Sequence, residues 1–450
     1  MIHRYKLMDK NIVVDAHSAS IHAVDDVAFD VIGMYEYGST KDIATAMLDK
    51  YADDESVTPE TLLELFDDIE ALRQDGKLFA DDVSRDVPDE PDDGVIKALC
   101  LHLAHTCNLV CDYCFAGQGR YHGADALMSL ETAKSAIDFL IKNSGTRQNL
   151  EVDFFGGEPL LNWDVLKETV KYAREVEVYH NKNIRFTLTT NGIRLNDEVT
   201  EFCNREISNV VLSLDGRPEI HDARRKTPSG GGSYDLIVPR FKRFAELRNG
   251  SYYIRGTYTS QNKDFLSDIL HIADLGFTEL AMEPAVSVEG DPLGLTENDL
   301  PELFAQYELL AQIMAKRRRD GNPFTFYHYT LNLEDGPCAY KRARGCGSGT
   351  EYFAVTPEGT LYPCHQLVGE ADFIAGNLLD GVKRGYVFRR AGINAHPECR
   401  DCWAKLYCSG GCAANAYHST GGADGIHLLG CELFKKRLEC AIWLKCNETD

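Results

Sequence analysis

No stretch of this 450-residue chain holds about 18 consecutive apolar residues, which excludes a membrane-spanning helix of ordinary length. Nor does an apolar segment follow the opening Met1-Ile2-His3-Arg4-Tyr5-Lys6, so no secretory signal is expected and the reducing cytoplasm is the expected compartment. Positive charge is scarce: 47 Lys and Arg stand against 70 Asp and Glu, a formal net charge of −23. A surface of that sign repels phosphate backbones and anionic headgroups, so neither nucleic acid nor membrane is an expected partner. Cysteine, by contrast, is plentiful: fifteen residues, an odd number, crowded toward the C-terminus. In a reducing setting that abundance points to metal clusters rather than disulfides.

With 44% hydrophobic residues, the chain has enough apolar content for two or three domains. Residues 1–80 read as a small module. Short strands over 3–7 and 11–15, with another near Ile21, precede three helical patterns. The third helix is the clearest, with Thr58 as N-cap and Pro59 at its first position. Leu62, Leu65, Phe66, Ile69 and Leu72 share one face, Val57 staples onto Leu62, and Gly76 stops the helix. A closing strand over 77–79 completes a winged-helix-like pattern. Its acidity, from Asp25, Asp26, Asp53, Asp54, Glu55, Asp67 and Asp68, argues against DNA binding. Residues 81–94, acidic and carrying two prolines, read as a solvated linker.

From 95 to 300 strand and helix patterns alternate. Strands are expected over 98–103, 150–155, 185–189, 209–214, 252–259 and 279–283, with helices such as 130–142, 163–179, 234–247 and 263–275 between them. Such βα units give a parallel sheet, doubly wound or a partial barrel, with its ligand site at the carboxyl ends of the strands. Polar motifs fall at those ends in order. Cys107, Cys111 and Cys114 follow the first strand, Gly156-Gly157-Glu158-Pro159 the second, Thr189-Thr190-Asn191-Gly192 the third and Ser213-Leu214-Asp215-Gly216 the fourth. Three thiolates occupy three corners of a 4Fe–4S cube and leave the fourth iron open to a small molecule. The bland alternative is a structural zinc site completed by a distant ligand. A helical bridge over 301–335 leads to a loop-rich region, 336–450. There Cys346, Cys364, Cys399, Cys402, Cys408, Cys412 and Cys431 succeed one another, the middle C-x2-C-x5-C-x3-C run spanning Cys399 to Cys412. Taken alone, those four would also suit a zinc ribbon.

The cysteine triplet followed by Phe115, together with Gly156-Gly157-Glu158, resembles the signature of radical S-adenosylmethionine (SAM) enzymes. The seven later cysteines resemble the SPASM extension of peptide-modifying members. With the N-terminal module included, the whole chain is similar to the maturases of ribosomally made peptides. Within these it is most like the thioether-forming maturases of six-cysteine (SCIFF) peptides. The resemblance implies an α/β fold: a partial (β/α)6 barrel, a winged-helix-like peptide-recognition module and an iron–sulfur domain. It implies SAM and three 4Fe–4S clusters, one of them on Cys107, Cys111 and Cys114. Phe115 would lie against the adenine; Gly156, Gly157, Glu158, Ser213 and Asp215 would contact the rest of SAM. Arg225 and Arg255, with Arg224 as a third candidate, would pair with its carboxylate, and Glu283 would face the site. One auxiliary cluster would take Cys399, Cys402, Cys408 and Cys431. The other would take Cys346, Cys364 and Cys412, with Cys338 as fourth ligand or an iron left open to a substrate thiolate. Cys100, Cys203, Cys440 and Cys446 remain as small buried hydrophobes.

By the same resemblance the partner is a Cys-rich precursor peptide whose leader adds as a strand to the module's sheet edge. A ferredoxin or flavodoxin supplies electrons. A 5′-deoxyadenosyl radical takes hydrogen from the core peptide, threonine being the expected residue, and a peptide cysteine closes a C–S bond while the auxiliary clusters take the electron. Two other readings stand beside this one: a sulfatase maturase that makes formylglycine, and a non-catalytic metal or electron-transfer protein.

Overall fold

The computed structural model describes every residue except 88–93, 287, 289, 332–341, 343–344, 384–387, 389–391 and 449–450. At the N-terminus, β1 (Ile2–Leu7), β2 (Lys10–Asp15) and β3 (Ile21–Val24) form an antiparallel sheet in that order. Helices α1 (Asp26–Met34), α2 (Thr40–Lys50) and α3 (Pro59–Gln74) follow. Each begins on a side-chain cap, from Asp25, Ser39 and Thr58 respectively. Val13, Ile32, Ile43, Leu62, Phe66 and Ile69 close a small core between helices and sheet.

The expected strand over 77–79 does not form. Phe79 takes a left-handed backbone with φ 55°, which ends any extended run, and its ring stacks on Tyr35 at 5.3 Å. The first half of the expected solvated linker is likewise held in place. Residues Val83–Asp86 make a single 3-10 turn, with Ser84 buried, and Asp82 reaches Lys405 of the C-terminal region at 2.6 Å. Local composition could not reveal that cation, 323 residues away in the chain.

Six parallel strands form the core sheet in chain order: β4 (Ala98–His105), β5 (Asn149–Gly156), β6 (Asn183–Thr190), β7 (Asn209–Ser213), β8 (Ser251–Tyr258) and β9 (Glu279–Pro284). Helices α4 (Leu130–Lys142), α5 (Trp163–Tyr179), α6 (Asp197–Glu206), α7 (Pro218–Arg224), α8 (Tyr234–Leu247) and α9 (Phe265–Asp274) lie between them in sequence. Strand alternation sets what each face does. On β5, Leu150, Val152 and Phe154 are fully buried in the core, whereas Asp153 and Phe155 line the inner cavity.

The sheet stays open. After α10 (Leu300–Arg319), β10 (Tyr352–Val355) of the C-terminal region pairs in parallel with β4 on its free side, matching Tyr352 to Ala98 through Val355 to Leu101. Strand β11 (Thr360–Tyr362) turns back antiparallel on β10. The final helix α11 (Leu428–Cys446) packs along α10, with Lys436 reaching Glu308 at 2.8 Å. It also receives β1: His3 bonds Glu439 at 3.1 Å and stacks on Trp403 at 3.9 Å, and the Tyr5 hydroxyl donates to the Glu439 carbonyl. Among the described residues no strand pairs with the outer edge of β3, and no helix is long and apolar enough to cross a membrane.

Candidate functional site

The three cysteines of the triplet sit on the loop leaving β4. Cys111 is fixed by a two-residue antiparallel bridge that sets Arg225 opposite it. Cys107 is approached by the Asn191 amide at 3.6 Å from its sulfur, and that amide also bonds Asn108 at 2.8 Å. Backbone crowding holds the loop against the end of β5. A Cβ added at Gly157 would stand 2.1 Å from the Thr106 carbonyl oxygen, and one at Gly119 would stand 2.7 Å from the Gly157 Cα. Gly157 of the motif and Gly119 beyond the triplet therefore let three backbone segments meet where a side chain would separate them. Burial pushes the Cys107 thiol up to about 11 and the Cys111 thiol up to about 12, and neighbouring thiols add to both. The thiols are held protonated, the Arg225 guanidinium opposing this at Cys111 without overcoming burial; a bound metal reverses it by taking the thiolates. Among the described residues no three His, Cys, Asp or Glu side chains converge as ligands of one metal ion must. A cube, whose cysteines each bind a different iron, is the group this looser spacing fits.

All three cysteines open onto one cavity of about 900 Å³ that the barrel shares with the C-terminal region. Phe115, Gly156, Gly157, Glu158, Ser213, Arg225, Arg255 and Glu283 line it as well. Arg224 does not: it turns to Asp112 at 2.7 Å. Nor is Asp215 free to contact a ligand. It is fully buried and accepts from Tyr113, from Arg225 twice and from the Thr257 amide, at 2.5 to 3.1 Å. Burial opposes its charge, but the Arg225 guanidinium wins and holds the carboxyl below its usual range. Asp215 thus aims Arg225 at the cavity. Glu158 is also fully buried; its oxygens accept from the Leu160 amide, the Thr190 hydroxyl and the Asn191 amide, tying the end of β5 to the end of β6. Burial lifts its carboxyl to about 7.

Sequence reasoning passed over several cavity residues. Asp153, Thr187, Tyr253, Tyr352, His365 and Arg437 line it, and so does Cys100, expected only as a core thiol. The strand alternation could have found Asp153; the others needed the fold. Arg437 comes from α11 and meets Glu283 at 3.3 Å, with His328 at 3.3 Å from the other carboxylate oxygen.

The later cysteines gather in two groups. Burial and then Cys408, Cys399 and Cys402 push Cys431 up to about 12, so these four thiols lie together. Burial pushes Cys364 up to about 12, with Cys412 and Cys346 adding to it. Cys338 lies outside the described residues. Cys399, Cys402, Cys408, Cys412 and Cys431 line the same cavity as the triplet.

A family model, the radical SAM superfamily, matches residues 101–271, the segment that carries the triplet and the first strand ends. An uncharacterized protein of Methanocaldococcus jannaschii is 34% identical over 231 residues, covering 50% of this chain and 77% of the relative. This chain belongs to the radical SAM superfamily. A cysteine-type anaerobic sulfatase-maturating enzyme of Clostridium novyi is 24% identical over 379 residues, 76% of this radical SAM chain and 94% of the relative. The fold is shared with Streptococcus suis SuiB bound to its precursor peptide SuiA, at a TM-score of 0.53 and 16% identity, over 92% of this chain and 95% of that one.

Proposed function

We propose that this radical SAM protein modifies a ribosomally made, Cys-rich precursor peptide by joining a cysteine sulfur to a carbon, threonine being the expected partner. One observation carries the reading: a single cavity is lined both by Cys107, Cys111 and Cys114 and by Cys399, Cys402, Cys408, Cys412 and Cys431 of the C-terminal region. Iron–sulfur cubes held by these groups would supply reductive cleavage of SAM at the triplet and removal of an electron at the later cysteines. The chain's own residues do the rest. Arg225, held by Asp215, and Arg255 offer guanidinium groups to the SAM carboxylate. Tyr253, Tyr352 and Phe155 line the same cavity and present ring surface that keeps water from a radical. At the N-terminus, β3 offers unpaired backbone groups to an extended leader strand, while β1 is fastened to α11 and Trp403. The precursor-bound SuiB and the sulfatase-maturating relative support a peptide substrate. A ferredoxin or flavodoxin is proposed as the electron donor.

The experiment is anaerobic incubation of the reconstituted chain with SAM, a reductant and a threonine-containing six-cysteine precursor peptide, followed by mass spectrometry. Loss of two hydrogens per thioether is the expected result; an unchanged peptide mass would overturn the reading. The sulfatase-maturating relative, 94% of which is covered, favours formylglycine formation as a second reading. That product retains no thioether and leaves sulfur as a separate small species.

A further inference from the structure

Among the described residues five acidic side chains line the cavity: Asp153, Glu158, Glu283, Glu398 and Glu432. Four have settled occupations. Glu158 is tied down by two amides and a hydroxyl, and Glu283 sits between His328 and Arg437. Glu432 pairs with Lys435 at 2.7 Å, and Glu398 is exposed to solvent. Asp153 differs from all of them. It stands on the inner face of β5, three residues before Gly156, and no ion pair reaches it among the described residues. Thr187, its register partner on β6, donates a hydrogen bond to it.

The groups that face Asp153 come from each neighbouring element: Cys100 from β4, Thr187 from β6, Tyr253 from β8 and Tyr352 from β10, with Glu151 two positions along its own strand. Cys100 and Tyr352 are in turn the neighbours of Cys364. Asp153 therefore shares with Cys100, its register partner on β4, and with Tyr352 the part of the cavity wall nearest Cys364. A half-buried carboxylate placed there without a cation beside it gains nothing for the fold, and charge held in a cavity in this way marks working sites.

We propose that Asp153 is the proton acceptor for the substrate cysteine thiol, an inference that rests on the peptide-maturase reading. In this step the S–H bond breaks and an O–H bond forms on the Asp153 carboxylate. The products are a thiolate and a neutral carboxylic acid, and no electron changes hands. Burial, with Glu151 adding, lifts the Asp153 carboxyl to about 6 against the pull of Thr187, so it is ionised at neutral pH yet more basic than a surface carboxylate. His365, another titratable group on this wall, has its Nδ1 engaged with the Tyr352 hydroxyl at 3.1 Å.

The test compares wild type with Asp153→Asn and Asp153→Glu, each matched for iron content and SAM binding. The probe is a threonine-containing six-cysteine peptide deuterated on threonine. In Asp153→Asn, deuterium transfer to 5′-deoxyadenosine should stay within about twofold of wild type, while thioether per 5′-deoxyadenosine falls by about a hundredfold or more. That ratio should rise in wild type as the pH passes about 6 and stay flat in Asp153→Asn, with Asp153→Glu restoring part of it. In the cofactor-free chain, the protonated-carboxyl infrared band missing from Asp153→Asn should titrate near 6. An Asp153→Asn variant with the wild-type ratio at every pH, or one that loses deuterium transfer in parallel, overturns this proposal alone. A wild-type chain that cleaves SAM but leaves the peptide mass unchanged overturns the maturase reading and this proposal with it.

Discussion

Lysine is seldom buried without a partner, and Lys405, with 1% of its side chain exposed, depends on Asp82. The ammonium meets Asp82 at 2.6 Å and the Arg400 carbonyl at 3.2 Å. Asp82 also accepts from Ser84 at 2.6 Å and from Arg85 at 2.9 Å, and His17 stands 3.7 Å away. This cluster fastens the N-terminal module and the start of the connecting segment to the loop that carries Cys399, Cys402 and Cys408. Removing one partner of a buried pair costs about 3–5 kcal/mol, because the other charge is left without its counterion. Asp82 keeps Ser84 and Arg85, so Lys405→Met is expected at the lower end, about 3 kcal/mol. The double variant with Asp82→Asn leaves no stranded charge and should cost at least about 1 kcal/mol less than the sum of the single variants. Native-state hydrogen exchange of the β2 amides reports the local opening energy of the module directly, without requiring two-state unfolding of the whole chain. The pH dependence has a fixed sign. Although burial opposes ionisation, Lys405, Ser84 and Arg85 hold the Asp82 carboxyl well below its usual range. Its contribution is therefore complete above the ordinary carboxyl range and fades only as the pH falls through the depressed folded value. A Lys405→Met cost under about 0.5 kcal/mol, the level of a surface substitution, would show that the Asp82 pair does not fasten the module.

Three further predictions concern the site. Iron per chain after anaerobic reconstitution should fall from about twelve to about eight when Cys107, Cys111 and Cys114 are replaced by alanine together; unchanged iron would remove the triplet from the cluster ligands. Gly157→Ala places a Cβ 2.1 Å from the Thr106 carbonyl oxygen, so the loop must move. SAM binding, followed by equilibrium dialysis, should be lost together with the triplet's iron, and wild-type affinity would show that the close approach does not matter. Asp153→Asn should raise stability at high pH. The folded carboxyl titrates at about 6 rather than at its ordinary 3.8, chiefly through burial, so between those values the unfolded chain releases a proton that the folded chain retains. Wild-type stability therefore falls as the pH rises through that window, by up to about 3 kcal/mol, and the neutral variant escapes the loss. Thermal unfolding at pH 4 and pH 8 should show no gap at the first and a gap at the second; a gap of the same size at both would refute this.

Most of the core was legible because strand and helix periodicities are local. Helices over 130–142, 163–179 and 234–247 match α4, α5 and α8 end to end, and six expected strands match β4 to β9 with ends shifted by one or two residues. Helix α6 was not among the expected helices: Asp197–Glu206 carries few apolar residues, and its buried face is only Val199, Thr200 and Cys203. The Thr58 cap, the Pro59 start and the Cys-x3-Cys-x2-Cys loop needed nothing beyond neighbours a few residues apart.

By itself, then, the sequence determined the order of the units, the parallel sheet and which strand ends carry polar groups, since all of these follow from spacing along the chain. Tertiary structure decided how those groups are used. The oxygens of Asp215 and Glu158 accept from backbone and side-chain donors outside their own strands, and only the fold brings those donors near. The Phe79 turn, the Asp82–Lys405 link, the parallel pairing of β10 with β4 and the gathering of Arg437, Glu283 and His328 join residues tens to hundreds of positions apart. Such contacts are set by packing of whole surfaces, and no local pattern encodes them.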